Sequence, residues 1–522
     1  MFRLQVFPIY TKVDGKSALN YIMISFVLIL ALIIFFRYGQ MNYCMIRSIK
    51  TFKKHQAKME FICRDNVLHI CIPCLREQSI IEKTLDSLLK ATDQIQDNIK
   101  IYVVTTEKEN YDKSRYKTHI HRFTNELMSG VSTEKLNVKY DFLFSSEEII
   151  KIKAFISLHN SMNHNQIEKY VMTCFDQKPS TYSVVKKYIN SHPTVNITLL
   201  NYPNHICSMA SQLNYCYHWI LENAKVGGRD FFMVYNADCQ PNPNTFKLLF
   251  NKIVQNKDVK VFQLLRAYTL NYSMYVGFKG LFLKASALYQ TRWSFGYEYP
   301  MYERYLKKYT QKSKKSYYMI GHGMTFSLEL LKSINGFHET TNLEDLYAGY
   351  VLSYLREPVI AIPALENTLN PSSIKSWAKQ KLVWFAGMYD VSNYPTYISQ
   401  NVSDPINKRW SSILRFKFFF RDTLPWLLGP TCILLFIVFS LIACKIIFSI
   451  GILLILINSV FCAVYLSHQL KELNAIPKSD RTNAVGLVIG VLIYSLFRNL
   501  PSMYYVISRM FNKSIEKFKT ER

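Results

Sequence analysis

Hydrophobic and polar positions along this chain follow two different rhythms. Toward the ends lie uncharged blocks: residues 17–36 carry no charge between Lys16 and Arg37, residues 423–444 none between Asp422 and Lys445, and residues 446–470 none before Lys471. A hydrocarbon core takes about 20 apolar residues, so each block predicts a transmembrane helix. A fourth block, residues 482–497, is shorter and meets Arg498-Asn499-Leu500-Pro501 before an apolar pattern resumes over residues 502–508. It predicts a kinked span or a segment that dips in and returns. Between the ends the runs are short and alternate in period. Residues 67–71 read as a strand closed by Ile72-Pro73-Cys74, and residues 79–91 as a helix with Ile80, Ile81, Leu85, Leu88 and Leu89 on one face. Further strands are predicted at 100–104, 196–200, 231–235 and 259–265, and helices at 211–222 and 374–388. Strands alternating with helices predict an α/β domain with a mainly parallel sheet. Its ligand site belongs at the C-terminal strand ends, where Pro73, Thr105, Thr106, Glu107 and Asp238 fall.

Charge gives the chain a direction. Arg37, Arg47, Lys50, Lys53, Lys54 and Lys58 follow the first block with no acid among them, which places residue 37 onward in the cytosol. Eleven cysteines without regular spacing agree with a reducing compartment. The expected segments are an N-terminal piece 1–16, a span 17–36, a basic linker 37–60, the cytosolic domain 61–400, an interfacial helix 401–422, spans 423–444 and 446–466, the spanning or re-entrant segment 482–508, and a basic tail 509–522. A plain fourth span ranks slightly ahead of a re-entrant one, although it puts Arg509, Lys513, Lys517, Lys519 and Arg522 on the far side against the charge rule. The interfacial helix rests on Trp410, Ile413, Leu414 and Phe418 at helical spacing among Lys408, Arg409, Arg415, Lys417 and Arg421. The net charge of +26 is spread over juxtamembrane stretches and a dense run at 304–315 with no nucleic-acid signature. It points to membrane lipids and a diphosphate substrate rather than to nucleic acid.

The candidate chemistry is carboxylate chemistry. Phe231-Phe232-Met233-Val234-Tyr235-Asn236-Ala237-Asp238 is an apolar run that delivers one carboxylate to a strand end and is stopped by Cys239-Gln240-Pro241-Asn242-Pro243. No Gly-rich or Walker loop cradles phosphates. A diphosphate here needs a divalent cation, Mg2+ or Mn2+, which takes one or two protein oxygens: Asp238, helped by the Asn236 amide. Glu344-Asp345 sits where a helix begins, a position that favours an ionised carboxylate able to accept a proton. His322, in the Gly321-His322-Gly323 turn, is a candidate metal or phosphate contact, though a turn histidine without such a role is the simpler expectation. Cys71-Ile72-Pro73-Cys74 has redox spacing but lacks the long helix such a motif opens.

Taken together these segments resemble the membrane-bound family two glycosyltransferases with a GT-A (nucleotide-diphospho-sugar transferase) domain, the group of cellulose, chitin and hyaluronan synthases. Ile72-Pro73-Cys74-Leu75-Arg76-Glu77 is similar to the family's Pro-x-x-x-Glu loop, Asn236-Ala237-Asp238 to its D-x-D, Glu344-Asp345 to its base motif, and Gln380-Lys381-Leu382-Val383-Trp384 to its Q-x-x-R-W. The chain departs from the pattern at Asn236, at Val383 and at Met209, which stands where the family places a Lys; Lys379, Lys381, Arg266 and Lys279 are substitutes for the lost cations. The resemblance implies a GT-A domain with one N-terminal and two or three C-terminal membrane helices. It implies donor contacts at Pro73, Glu77, Thr106, Glu107, Asn236 and Asp238, a metal on Asp238 and Asn236, and Asp345 as base with Glu344 beside it. Gln380, Trp384 and His322 would face the acceptor or product. The implied reaction is inverting transfer from a nucleotide-diphosphate sugar, with a UDP-sugar ranked first, to a saccharide or lipid-linked acceptor. The setting is polysaccharide or glycolipid synthesis, alongside partner proteins of that pathway, in a multi-pass membrane protein of a bacterial inner membrane. The alternative is an inactive relative that scaffolds such a complex.

Overall fold

The computed structural model describes residues 15–55, 66–159, 161–227, 229–306, 316–401 and 408–511. Of the segments expected above, residues 1–14, 56–65, 307–315, 402–407 and 512–522 lie outside the described residues. The described residues hold eight strands: β1 Leu68–Pro73, β2 Ile99–Thr106, β3 Ile197–Tyr202, β4 Phe231–Val234, β5 Cys239–Gln240, β6 Val261–Ala267, β7 Met324–Ser327 and β8 Val359–Thr368. With the helices between them they make a mixed α/β protein, as expected. Contacts divide the chain into two units, one of Asp65–Asp238 with Thr325–Thr340, the other of Met1–Arg64, Cys239–Met324 and Thr341–Arg522. The division runs through the expected 61–400 domain.

In the first unit β1 pairs in parallel with β2 and β4, and β2 with β3, while β7 runs antiparallel to β4 over residues 325–327. The continuous apolar runs explain the parallel pairing, because such strands are buried on both faces. All six residues of β1 but Pro73 are buried, and each fully buried Ile or Leu contributes roughly 1.5–3 kcal/mol. Between β2 and β3 the chain makes a helical insertion from Lys108 to Ser191, with its own core of Ile120, Phe123, Phe144, Ile149, Val171 and Phe175. The hydrophobic pattern predicts no element between residues 104 and 196, where this insertion lies. Two of its helices open on reciprocal caps, Ser145 with Glu148 and Asn163 with Gln166, each of which satisfies two orphan N–H groups.

In the second unit β6 pairs in parallel with β8, which is antiparallel to β5. Four helices here are long and apolar enough to cross a membrane: Asn20–His55, Arg409–Ala443, Lys445–Glu472 and Ala484–Met510. Val27, Leu30 and Ile34 of the first pack with Ile433, Phe436 and Ile455 of the next two. The Gly277–Trp293 helix joins this bundle to the strands. Its buried Arg292 reaches Asn42 at 2.8 Å and also Asn458, and Lys284 pairs with Asp480 at 3.0 Å.

The segment expected to lie in the membrane interface differs in which face it uses. Trp410, Leu414 and Phe418 are buried; Trp410 donates to the Tyr354 carbonyl at 3.3 Å and Phe418 lies against Tyr350. The apolar stripe is therefore spent on the Glu344–Leu355 helix. The exposed apolar residues are Phe416, Phe419 and Phe420, where a π turn at Phe419–Thr423 links the segment to the span.

Candidate functional site

Each unit carries one group of the predicted residues. In the first, the parallel register brings the C-terminal ends of β1, β2 and β4 to one sheet edge, so that Pro73, Thr106, Glu107, Asn236 and Asp238 share it. Gln212 clamps the neighbouring ends of β1 and β2 by donating to the Cys74 and Val104 carbonyls at 2.9 and 2.8 Å. Thr84 donates to the Ala237 carbonyl at 2.5 Å, fixing the turn that carries Asp238, which is 3% exposed. Glu107 accepts from Asn110 at 2.9 Å and from Asn201, and the Glu77 N–H donates to Thr181 at 2.9 Å. Thr106 is buried, with its hydroxyl accepting from the Lys108 N–H at 3.2 Å.

Among the described residues no three His, Cys, Asp or Glu side chains gather to hold a metal. A strand-end carboxylate with a neighbouring amide instead suits a cation that arrives with its phosphate ligands, because Mg2+ and Mn2+ keep several non-protein oxygens.

In the second unit Asp345 lies in the first turn of the Glu344–Leu355 helix. Its carboxylate accepts from the Leu346 N–H at 2.7 Å and from the Gly321 N–H. Gly321 is what permits this: a Cβ there would stand 2.9 Å from Asp345 Oδ2. Burial pushes the Asp345 carboxyl above the ordinary Asp range, while the Leu346 N–H and the Arg266 guanidinium pull it down. The helix N-terminus alone predicts the opposite direction, and desolvation outweighs it.

Asp345 opens on a cavity whose walls include Arg266 in β6 and Tyr268 just after it, Glu298, Lys381 and Trp384, with Trp426, Tyr494 and Arg498 from the long apolar helices. Its volume of about 170 Å3 admits one ring-sized group, since cavities of roughly 150 Å3 take up a benzene. Lys381 Nζ lies 4.0 Å from the Trp384 ring centre and Arg266 Cζ 5.2 Å from that of Tyr268. Burial, and then the Arg498 and Arg266 charges, hold the Lys381 amine well below the usual lysine range. Burial raises Glu298, against which Ser294 and Tyr318 donate at 2.9 and 3.0 Å.

Of the predicted acceptor residues, Trp384 lines this cavity. Gln380 is 2% exposed and lies on the same helix outside the lining. His322 is fully buried with its ring 3.7 Å from Glu366; burial lowers its pKa and the Glu366 carboxylate opposes that. It backs the Gly321 turn rather than facing the cavity. Two of the substitute cations, Arg266 and Lys381, do line it. Glu298 belongs to no motif that marks it in the sequence and sits in a π turn at Ser294–Glu298. Arg498 is marked in the sequence only by breaking the last apolar block.

No protein-family model matches the sequence, and no curated protein is significantly similar to it. Solved structures similar to it are glycosyltransferases. The mannosyltransferase PcManGT from Pyrobaculum calidifontis, in complex with GDP-Man and Mn2+, is 12% identical over 92% of this chain and 99% of that one, with a TM-score of 0.40. S. aureus TarS 1–349, in complex with UDP-GlcNAc, is 10% identical over 86% of this chain and 93% of that one, with a TM-score of 0.34. TM-scores this low carry no weight for function.

Proposed function

We propose that this chain is a membrane glycosyltransferase of the GT-A, family two kind, moving a sugar from a nucleotide-diphosphate donor to a saccharide or lipid-linked acceptor on the cytosolic face of a bacterial inner membrane. The observation that supports it best is the Asp345 carboxylate, oriented by two backbone N–H groups, at a cavity walled by aromatic rings, cations and membrane helices. An aromatic face suits a sugar ring, and a desolvated carboxylate with a raised pKa suits a general base.

An acceptor hydroxyl attacks the anomeric carbon with inversion. The new C–O bond forms as the bond to the phosphate oxygen breaks, the nucleoside diphosphate leaves with the electron pair, and the hydroxyl proton passes to Asp345. Glu344 flanks the base, Trp384 meets the acceptor ring, and Pro73, Glu77, Thr106 and Glu107 border the donor. A divalent cation carried in with the donor would be held by Asp238 and the Asn236 amide, and would neutralise charge on the departing diphosphate.

The deciding experiment is transfer of labelled sugar by purified protein in bilayers, with Mg2+ or Mn2+ and a panel of nucleotide sugars. Asp345→Asn is expected to lower the rate about 10²- to 10⁴-fold, the usual worth of a general base. A variant that transfers as well as wild type would remove Asp345 from the role of base, and a wild type inactive with every donor would leave the scaffold alternative instead.

A further inference from the structure

The helical insertion of the first unit reaches back to the strand ends through one buried carboxylate. Its first helix, Lys108–Tyr116, follows β2, and its last, Thr181–Ser191, precedes β3. Glu109, in the first turn of the one, accepts from the N–H of Thr181, which opens the other, at 2.9 Å, and from the N–H of Arg76 at 3.2 Å. Helix-start N–H groups have no partner inside their helix and attract a carboxylate, so Glu109 completes one element while holding another. Thr181, fully buried, extends the clamp: its hydroxyl accepts from the Glu77 N–H at 2.9 Å and donates to Gln78 Oε1 at 3.4 Å. The Arg76 guanidinium donates to the Tyr116 hydroxyl at 3.0 Å, and the Tyr116 ring lies on Phe142 against the insertion's core.

What is clamped is a strained turn. Arg76 has a φ of 57°, in the left-handed region that a residue with a Cβ enters at a cost. Asn335 and Asn474 share that region, which asparagine enters readily, whereas an arginine stays there only where its surroundings fix it. The turn also starts a helix. The Glu77 carbonyl accepts from the N–H groups of Ile80 and Ile81 at the head of the Ile81–Thr92 helix, which has no side-chain cap among the described residues. Thr84 of that helix makes the hydrogen bond to the Ala237 carbonyl that fixes the Asp238 turn. The insertion, the Arg76–Glu77 turn and the Asp238 turn thus form one chain of contacts inside the first unit.

We propose that Glu109 and Thr181 are positioning residues, holding the Arg76–Glu77 turn in the shape that receives a nucleoside diphosphate, and that the insertion thereby sets donor affinity. This rests on the glycosyltransferase reading, under which Pro73, Glu77 and Asp238 border the donor, and adds to it residues that act through the turn rather than on the substrate.

The test uses the full chain in nanodiscs with two readouts: backbone hydrogen exchange, and binding of uridine, guanosine, adenosine and thymidine diphosphates with Mn2+. Glu109→Ala and Thr181→Val are each expected to weaken binding of the preferred diphosphate about tenfold. Exchange over residues 74–80 is expected to quicken in both, while residues 120–127 of the insertion's core stay protected. Thr181→Ser keeps the hydroxyl and is expected to retain the affinity. Glycine takes the left-handed conformation without help, so in an Arg76→Gly background Glu109→Ala is expected to cost less than about threefold. In transfer assays both variants are expected to raise the KM for the nucleotide sugar and leave kcat within about twofold. Unchanged affinity in both variants overturns the proposal, as does a Glu109→Ala loss of equal size in the Arg76→Gly background. Loss of protection throughout residues 120–127 in both variants also overturns it, since the two residues would then hold the fold and not the turn. A wild type that binds none of the diphosphates overturns this proposal and the glycosyltransferase reading together. Diphosphate binding that responds to the variants without any sugar transfer defeats that reading alone, and transfer by both variants with the wild-type donor KM defeats this proposal alone.

Discussion

At the scale of single residues the chemistry turns on how Asp345 is held. A base in the proposed reaction must be deprotonated to act, so activity is expected to fall as pH drops through its pKa. Since burial raises that pKa, the acid limb of kcat/KM is expected above the ordinary Asp range. Arg266→Gln removes a cation that pulls it down, so the limb moves to higher pH; a pH–rate profile of both proteins checks this. The stability effect has the opposite sense. A carboxyl whose folded-state pKa is raised favours folding fully below the unfolded value and loses that contribution as pH rises through the folded value. Asp345→Asn is therefore expected to raise the unfolding temperature at pH values above that window, even as transfer is lost, and thermal unfolding across pH reads it. Gly321→Ala would push a methyl into Oδ2 and is expected to lower kcat more than donor affinity, which steady-state kinetics separates. Asp345 and Asp238 were legible because each ends or begins an element whose period is plain. The raised pKa was not, since it comes from burial by residues far away in sequence.

Among the elements, strands and helices of strong period fell within a few residues of their expected places: the 374–388 helix runs Ile374–Asp390, and the 196–200 strand runs Ile197–Tyr202. The helical insertion was passed over because its helices are short and none is strongly apolar, yet its two reciprocal caps stand in the sequence as Ser145 to Glu148 and Asn163 to Gln166. Amphipathicity alone could not tell which partner covers the 408–418 stripe. Because that stripe packs on Tyr350 and Tyr354, Leu414→Ala is expected to cost about 2–5 kcal/mol, seen as a lowered unfolding midpoint. Thr84→Val removes the hydrogen bond to the Ala237 carbonyl. It is expected to cost about 1 kcal/mol and to raise the KM for the nucleotide sugar more than it lowers kcat.

For the whole molecule, the course of the last apolar segment is the open contrast with the simplest sequence expectation. Before it, Asp480 pairs with Lys284 of the Gly277–Trp293 helix. Along it, Tyr494 meets Tyr289 and Phe282 of that helix. Beyond it, Tyr505 meets Phe385 and Tyr389 of the Ile374–Asp390 helix. Both ends of the segment thus touch helices that are not among the four long apolar ones, which favours a return to the side it left. The tail with its five cations is then expected on the cytosolic side, in keeping with the charge rule. A C-terminal tag protected from protease in intact cells and cleaved in inverted vesicles is the expected outcome; cleavage in intact cells would restore the plain span.

The cavity beside Asp345 takes part of its wall from apolar helices of a kind that can answer a change in bilayer thickness by tilting. Lipid composition thereby becomes a kinetic variable. Thinning the bilayer would shift Arg498 and Trp426 relative to a carboxylate fixed on the 344–355 helix, so the length of the surrounding acyl chains should tune turnover without touching any atom of the donor edge.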